Sequence, residues 1–423
     1  MQIYDYLKVF HAIVTSNLYF CATNTILMEM EPLTKQKIDF NNTEVAFRHK
    51  SNAELKQAYW LFKMIGSNFL TKVGPPITNF MLNVGLPIQG AIKATIFKQF
   101  CGGETIAECE HTIEQLHQGK VGTILDYSVE GEDEEHAFDF TCEEIIRTIE
   151  RADGDPRIPI TVFKVTGIAR FALLEKLDAK QELSATETAE FERVKQRCEK
   201  ICSTAFERKV PVMIDAEETW IQDTIDLLAI EMMMKFNKEQ LIVFNTYQIY
   251  RHDKLASLKA NYLVAKEANF ILGAKLVRGA YMEKERKRAE ENGYPSPIQP
   301  DKAATDRDYN LALRFCVENI DRIGFVCGTH NEESSRLLTE LIDEKGIAHH
   351  HPHVYFAQLL GMSDNLSFNL SNAGYNVTKY VPYGPIKAVM PYLFRRAQEN
   401  TSVAGQTGRE LSLISKEKNR RAI

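Results

Sequence analysis

The chain has 423 residues, 44% of them apolar and 26% charged, with a formal net charge of −6. That length allows one large α/β domain with an accessory region or two to three average domains, and without a basic excess nucleic-acid binding is excluded as a main role. The eight cysteines show no CxxC and no paired spacing of a zinc site or disulfide framework, which points to a reducing compartment.

Residues 1–37 are expected to form an N-terminal tail. The run from Phe10 to Met30 is apolar but interrupted, with no unbroken stretch long enough for a membrane span and no arginine-rich transit pattern. Regular periodicity begins near Ile38, so residues before about Glu31 are expected to be dispensable for the fold. From 38 to 120 the apolar spacing is helical: Asn52–Leu70 repeats at three and four, and Pro87–Phe100 and Thr105–His117 do so more briefly. These segments predict a helical arm.

After Gly119 the period changes. Eight short apolar runs follow: Gly122–Tyr127, Ile160–Thr166, Val210–Asp215, Leu241–Asn245, Ile271–Val277, Gly324–Thr329, Val354–Gln358 and Val377–Tyr380. Between them lie helical stretches such as Phe191–Arg208, Thr219–Phe236, Leu255–Asn269, Asp306–Asn319 and Glu332–Lys345. Near-continuous apolar strands separated by helices mean a parallel sheet buried on both faces. Eight such units predict an α/β protein of the (β/α)8 barrel class over 121–402, with 403–423 as a C-terminal tail. The alternative is an open doubly wound sheet, but no strand is followed by GxGxxG or a P-loop.

Most of these strands end on a polar or ionisable residue: Asp126, Lys164, Asp215, Asn245, Lys275 with Arg278, Thr329 with His330, Gln358 and Tyr380. In a barrel the C-terminal strand ends converge on one mouth, so these side chains predict one pocket. Beyond the last strand, Tyr392, Arg395, Arg396 and Glu399 fall on one face of a helix, beside an apolar arc of Ile386, Val389, Met390 and Leu393. Pro391 is expected to kink or restart that helix. Adjacent guanidiniums are costly to hold together without an anion between them, and their planar forks fit a carboxylate. Lys164 could add a third positive charge and Asp215 could pair with one arginine, giving a clamp for an amino or keto acid. The competing reading is a rim of structural ion pairs.

Lys275, in GAKLVRGAY, could form a Schiff base or donate a hydrogen bond to an electron-rich ring; the residues leave both open. His330, in GTHNEES, could serve as a general base, a metal ligand or a donor to a phosphate or ribityl group. His349, His350, His351 and His353 suggest a metal tract, but Pro352 interrupts it and no carboxylate or cysteine has matching spacing, so no metal site is expected.

KLVRGAY, THNEES, QLLGM, YVPYGP and YLFRRAQEN together resemble the proline dehydrogenase family, in its single-function, eukaryote-like branch. The resemblance runs from about Ile38 to Ser402 and is dense after Asp215. It implies a distorted (β/α)8 barrel with the last helix over its mouth, and oxidation of L-proline to Δ1-pyrroline-5-carboxylate by hydride transfer to FAD. It further implies electron transfer to a membrane quinone. That places the chain in the cytoplasm with a peripheral contact at the inner face of the inner membrane, or in the mitochondrion of a eukaryote. Carried over residue by residue, it implies that Arg395 and Arg396 bind the proline carboxylate, assisted by Lys164 and paired with Asp215. Tyr380, Tyr392 and Tyr281 would close the pocket, and Lys275 would hydrogen-bond the flavin near its reactive nitrogen. Ala216, Asn245, Arg278, Gly279, Ala280, Thr329, His330, Asn331 and Glu399 would contact the flavin. Many bacterial members differ in carrying arginine in place of Lys275 and glutamine in place of Asn245. The bulk of Tyr380 implies a preference for proline over hydroxyproline.

Overall fold

Eight strands close into one barrel in the computed structural model of the chain, which describes residues 38–65, 89–129, 133–402 and 406–423. The strands are Gly122–Tyr127 (β1), Thr161–Phe163 (β2), Val212–Ile214 (β3), Val243–Gln248 (β4), Leu272–Val277 (β5), Ile323–Gly328 (β6), Val354–Leu359 (β7) and Val377–Tyr383 (β8). Every pairing is parallel, and β1 closes on β8 from Gly122↔Thr378 to Tyr127↔Tyr383. The seam is uneven. β1 meets β2 at the single pair Asp126↔Val162, so the barrel is distorted where its shortest strands lie.

The period-two alternation of strands sorts their side chains into two cores. Leu125, Phe163, Ile214, Val243, Leu276 and Phe325 point outward under the surrounding helices, while Ile124, Val162, Met213, Phe244, Val326 and Tyr380 fill the interior. Both faces of every strand are therefore covered, which explains the near-continuous apolar runs.

A second core lies beside the barrel. Ala46, Phe47, Leu55, Phe62, Phe97 and Phe100 of the helical arm pack there against Met362, Val389, Met390, Leu393, Leu413 and Ile414. Among the described residues the arm comprises Thr43–Phe47, Asn52–Ile65, a helix that runs from Gln89–Ile92 through the π-helical Lys93–Phe97 into Lys98–Phe100, and Ile106–Gln118. This core anchors the helix Ile386–Ser402, which runs on through Pro391 rather than restarting there.

Gln406–Arg420, expected to trail off as a tail, is a helix packed on the arm. Its apolar content is confined to Leu411, Leu413 and Ile414, too little for a periodic signal. Ion pairing compensates: Glu417 is buried between Arg420 at 2.8 Å and Arg421 at 2.7 Å, and Arg421 also donates to the carbonyls of Phe47 and Lys50. The expected N-terminal tail, the last residues of the predicted Asn52–Leu70 helix and the side chain of Glu399 lie outside the described residues.

Candidate active site

The mouth of the barrel is built by parity. Met213 points in, Ile214 out, and Asp215, one residue further, points in again; the same alternation aims Asp126, Lys164, Lys275 and Tyr380 inward. Lys275 Nζ donates to Asp215 Oδ1 at 2.5 Å, and the Tyr380 hydroxyl donates to Asp215 Oδ2 at 2.8 Å. Lys164 Nζ stands 3.4 Å from Asp126 Oδ2, 3.4 Å from the Tyr380 hydroxyl and 3.8 Å from Asp215 Oδ2. Two lysines and two aspartates thus interlock around one tyrosine, with Lys275 Nζ also 4.9 Å from the centre of its ring.

Burial would raise the pKa of Asp215, but the charges of Lys275 and Lys164, with hydrogen bonds from Lys275 and Tyr380, outweigh it and hold the carboxyl below its ordinary range. For Tyr380 burial and the charges of Asp126 and Asp215 act in the same direction, so the phenol stays protonated and remains a donor. Asp215, expected to pair with an arginine, is therefore held by lysines and a tyrosine. The ion pair of Lys275 also argues against the Schiff-base reading, which needs a neutral amine.

The last helix brings the arginines. Arg396 is 6% exposed, with its guanidinium 5.0 Å from the centre of the Tyr392 ring; that of Arg395 stands 5.9 Å from the ring of Tyr281, in the segment after β5. His330, at the end of β6, is brought down to about 3 by burial, then by the charges of Lys379, Arg396 and Arg278. Its imidazole is therefore neutral and a poor general base, and its Nδ1 lies 2.9 Å from Ser363 Oγ.

Arg278 spreads its fork over three elements, donating to Asp306 at 2.8 Å, Thr329 Oγ1 at 2.6 Å and Ser334 Oγ at 3.0 Å. Asn331 caps the helix Glu332–Glu344 through the Ser334 N–H. Gly279 has φ +133°, and a Cβ there would stand 2.4 Å from the ring of Tyr250, so the approach requires glycine. Ala280 is exposed beside it, and Ala216 is half-buried next to Asp215.

Asn245 is not brought to the mouth. Its Nδ2 donates at 3.0 Å to Asp226, on the helix Thr219–Phe236 behind β4. The β4 residue that faces the mouth is Gln248, whose Nε2 donates to the Glu217 carbonyl at 2.9 Å and whose buried Oε1 has no hydrogen-bond partner among the described residues. Sequence reasoning missed Gln248 because it ended β4 at Asn245, three residues short of the strand's end and on the opposite face.

Glu217 was also missed. It is 3% exposed and accepts the Thr166 N–H at 3.0 Å and the Thr166 hydroxyl. Burial pushes its carboxyl from 4.5 up to about 8. Because the folded pKa is raised, its contribution to stability is complete below about 4.5 and is lost as pH rises through about 8. Glu217→Gln keeps an acceptor for Thr166 without the ionisation. Its melting temperature, followed by circular dichroism, is expected to overtake the wild type on the alkaline side; parallel pH curves for the two proteins would contradict this.

The family model described as "Proline dehydrogenase" matches residues 109–409. The chain is 33% identical over 433 residues to "Proline dehydrogenase 1, mitochondrial" of Dictyostelium discoideum, covering 91% of this chain and 75% of that protein. It is 30% identical over 422 residues to "Hydroxyproline dehydrogenase" of Xenopus laevis, covering 89% and 88%. The crystal structure of proline utilization A from Bdellovibrio bacteriovorus superposes with a TM-score of 0.67 at 20% identity, over 88% of this chain and 40% of that longer one, a likeness of fold. The family match and the near full-length relatives agree with the closed parallel barrel, and the chain belongs to the proline dehydrogenase family.

Proposed function

We propose that this chain catalyses the first step of proline catabolism, oxidising L-proline to Δ1-pyrroline-5-carboxylate with FAD as the hydride acceptor. The observation that carries this reading is the interlocked Asp215, Lys275, Lys164 and Tyr380 at the barrel mouth of a proline dehydrogenase family member. A flavin fits the residues present. Its ring needs donors for its carbonyls and nitrogens and an acceptor for its N–H; Lys275, Arg278 and His330 offer the former on neighbouring strand ends, and the orphaned Gln248 Oε1 offers the latter.

Bound FAD supplies the two-electron chemistry at the ring carbon beside the proline nitrogen. The chain's own residues do the positioning. Arg395 and Arg396 would hold the carboxylate through their forks, and Tyr392 and Tyr281, each beneath a guanidinium, would cover the ring and exclude water. Lys275, fixed by Asp215, would donate its hydrogen bond toward the flavin, with Thr329, Asn331, Gly279, Ala280 and Ala216 around it. Asn245 would act from behind β4, through Asp226, rather than by contact. Electrons would then pass to a membrane quinone at a peripheral contact on the inner membrane. The Dictyostelium relative is named as mitochondrial, and no described helix is long and apolar enough to cross a membrane. The test is proline-dependent reduction of a soluble quinone by the purified, flavin-containing protein; protein that binds FAD but reduces quinone no faster with proline would overturn the reading.

Tyr380 sets a second expectation. It is 7% exposed and pinned by Asp215, so its ring cannot swing aside for a substituent on the substrate ring. Tyr380→Ser is expected to raise kcat/KM for 4-hydroxyproline relative to proline by about tenfold, the scale of one steric misfit in a pocket. The two substrates are compared by steady-state kinetics on both proteins. Equal use of both by the wild type would refute the steric argument.

A further inference from the structure

The loop after β7 reaches the site through an unusual serine. Ser363 stands at the N-cap of the helix Asp364–Asn372, where a serine ordinarily turns its hydroxyl onto a free N–H of the first helical turn. Here the side chain makes no capping bond; Oγ lies 2.9 Å from His330 Nδ1. The backbone is unusual as well, with φ +50°, a left-handed conformation that serine rarely adopts.

What holds Ser363 there comes from the far end of the sequence. Its N–H donates at 2.5 Å to Glu410 Oε1, on the helix Gln406–Arg420, and Glu410 is 4% exposed. The loop is fixed on its other sides too. Lys379 donates to the carbonyl of Met362 and pairs with Asp364 at 2.9 Å, and a Cβ on Gly361, at φ +75°, would stand 2.1 Å from the Gln99 carbonyl of the arm. Glu410, Ser363 and His330 thus form a chain of hydrogen bonds from the C-terminal helix to the end of β6.

We propose that Glu410 is a positioning residue for the flavin: by holding Ser363 in its left-handed conformation it turns the serine hydroxyl from its capping role onto His330 and fixes the orientation of that imidazole. The inference rests on the reading of His330 as a flavin contact. It gives the C-terminal helix a role in cofactor binding that its location, packed on the arm, does not suggest.

The test is a double-mutant cycle on the full chain, read as the dissociation constant for FAD from the quenching of FAD fluorescence. Loss of one orienting hydrogen bond is worth about a three- to tenfold change. Glu410→Ala, Ser363→Ala and His330→Ala are each expected to weaken FAD by about that factor, whereas Glu410→Gln, which keeps the accepting oxygen, binds near wild type. Glu410→Ala combined with His330→Ala is expected to bind no more weakly than His330→Ala alone. If His330→Ala weakens FAD but Glu410→Ala does not, or if the two effects multiply in full, the relay is overturned. If His330→Ala leaves FAD binding unchanged, it is the flavin-contact reading that fails. Should Glu410→Ala not fold, Glu410→Asp, which draws the carboxylate back from the Ser363 N–H, takes its place in the cycle with His330→Ala, and multiplying effects again overturn the proposal.

Discussion

Arg395→Met and Arg396→Met are each expected to lower kcat/KM for proline by roughly 30- to several-thousand-fold, mainly through KM, while flavin content and melting temperature stay near wild type. The scale is about 2–5 kcal/mol for losing one charge-assisted partner of a desolvated carboxylate. Arg396 is nearly buried over the Tyr392 ring and Arg395 reaches Tyr281, so both guanidiniums face residues proposed to enclose the substrate. Methionine keeps much of the apolar stem, which separates loss of the fork from loss of packing. Normal proline kinetics in both variants, or a large drop in stability instead, would favour a structural ion-pair rim.

The second large effect is expected at Asp215. Its carboxylate neutralises Lys275 at 2.5 Å and faces Lys164 at 3.8 Å. Asp215→Asn takes from Lys275 its paired carboxylate and from Lys164 one of its partners, so we expect about 3–5 kcal/mol of lost stability, the scale for breaking a buried ion pair. Lys275→Met should cost less, because Asp215 keeps Tyr380 and Lys164. The double variant should recover part of the loss. Urea denaturation followed by circular dichroism measures all three; a Lys275→Met protein less stable than Asp215→Asn would show that the lysine, not the carboxylate, organises the cluster.

The barrel was legible because its strands are short apolar runs between long amphipathic helices, and Thr219–Phe236 has the bounds its periodicity predicts. The mouth was legible in outline, since Asp126, Lys164, Asp215, Lys275 and Tyr380 do meet at strand ends. Their partners were not. A strand buried on both faces carries no polar alternation, so nothing in FNTYQ showed that Gln248 faces in and Asn245 faces out. The arginine partner expected for Asp215 competed with Lys275, and the registers that pair β3 with β4 and β4 with β5 bring the lysine level with the carboxylate. The helix carrying Glu410 escaped notice because ion pairs do most of its docking, and its contact with Ser363 joins residues far apart in the chain.

The central claim, that this barrel mouth oxidises proline on a bound flavin, is tested most directly by the visible absorbance of the pure protein before and after anaerobic addition of L-proline. The account predicts an oxidised flavin spectrum that bleaches on addition, with Δ1-pyrroline-5-carboxylate formed in proportion to the flavin reduced. A protein loaded with flavin whose spectrum proline leaves unchanged would contradict it.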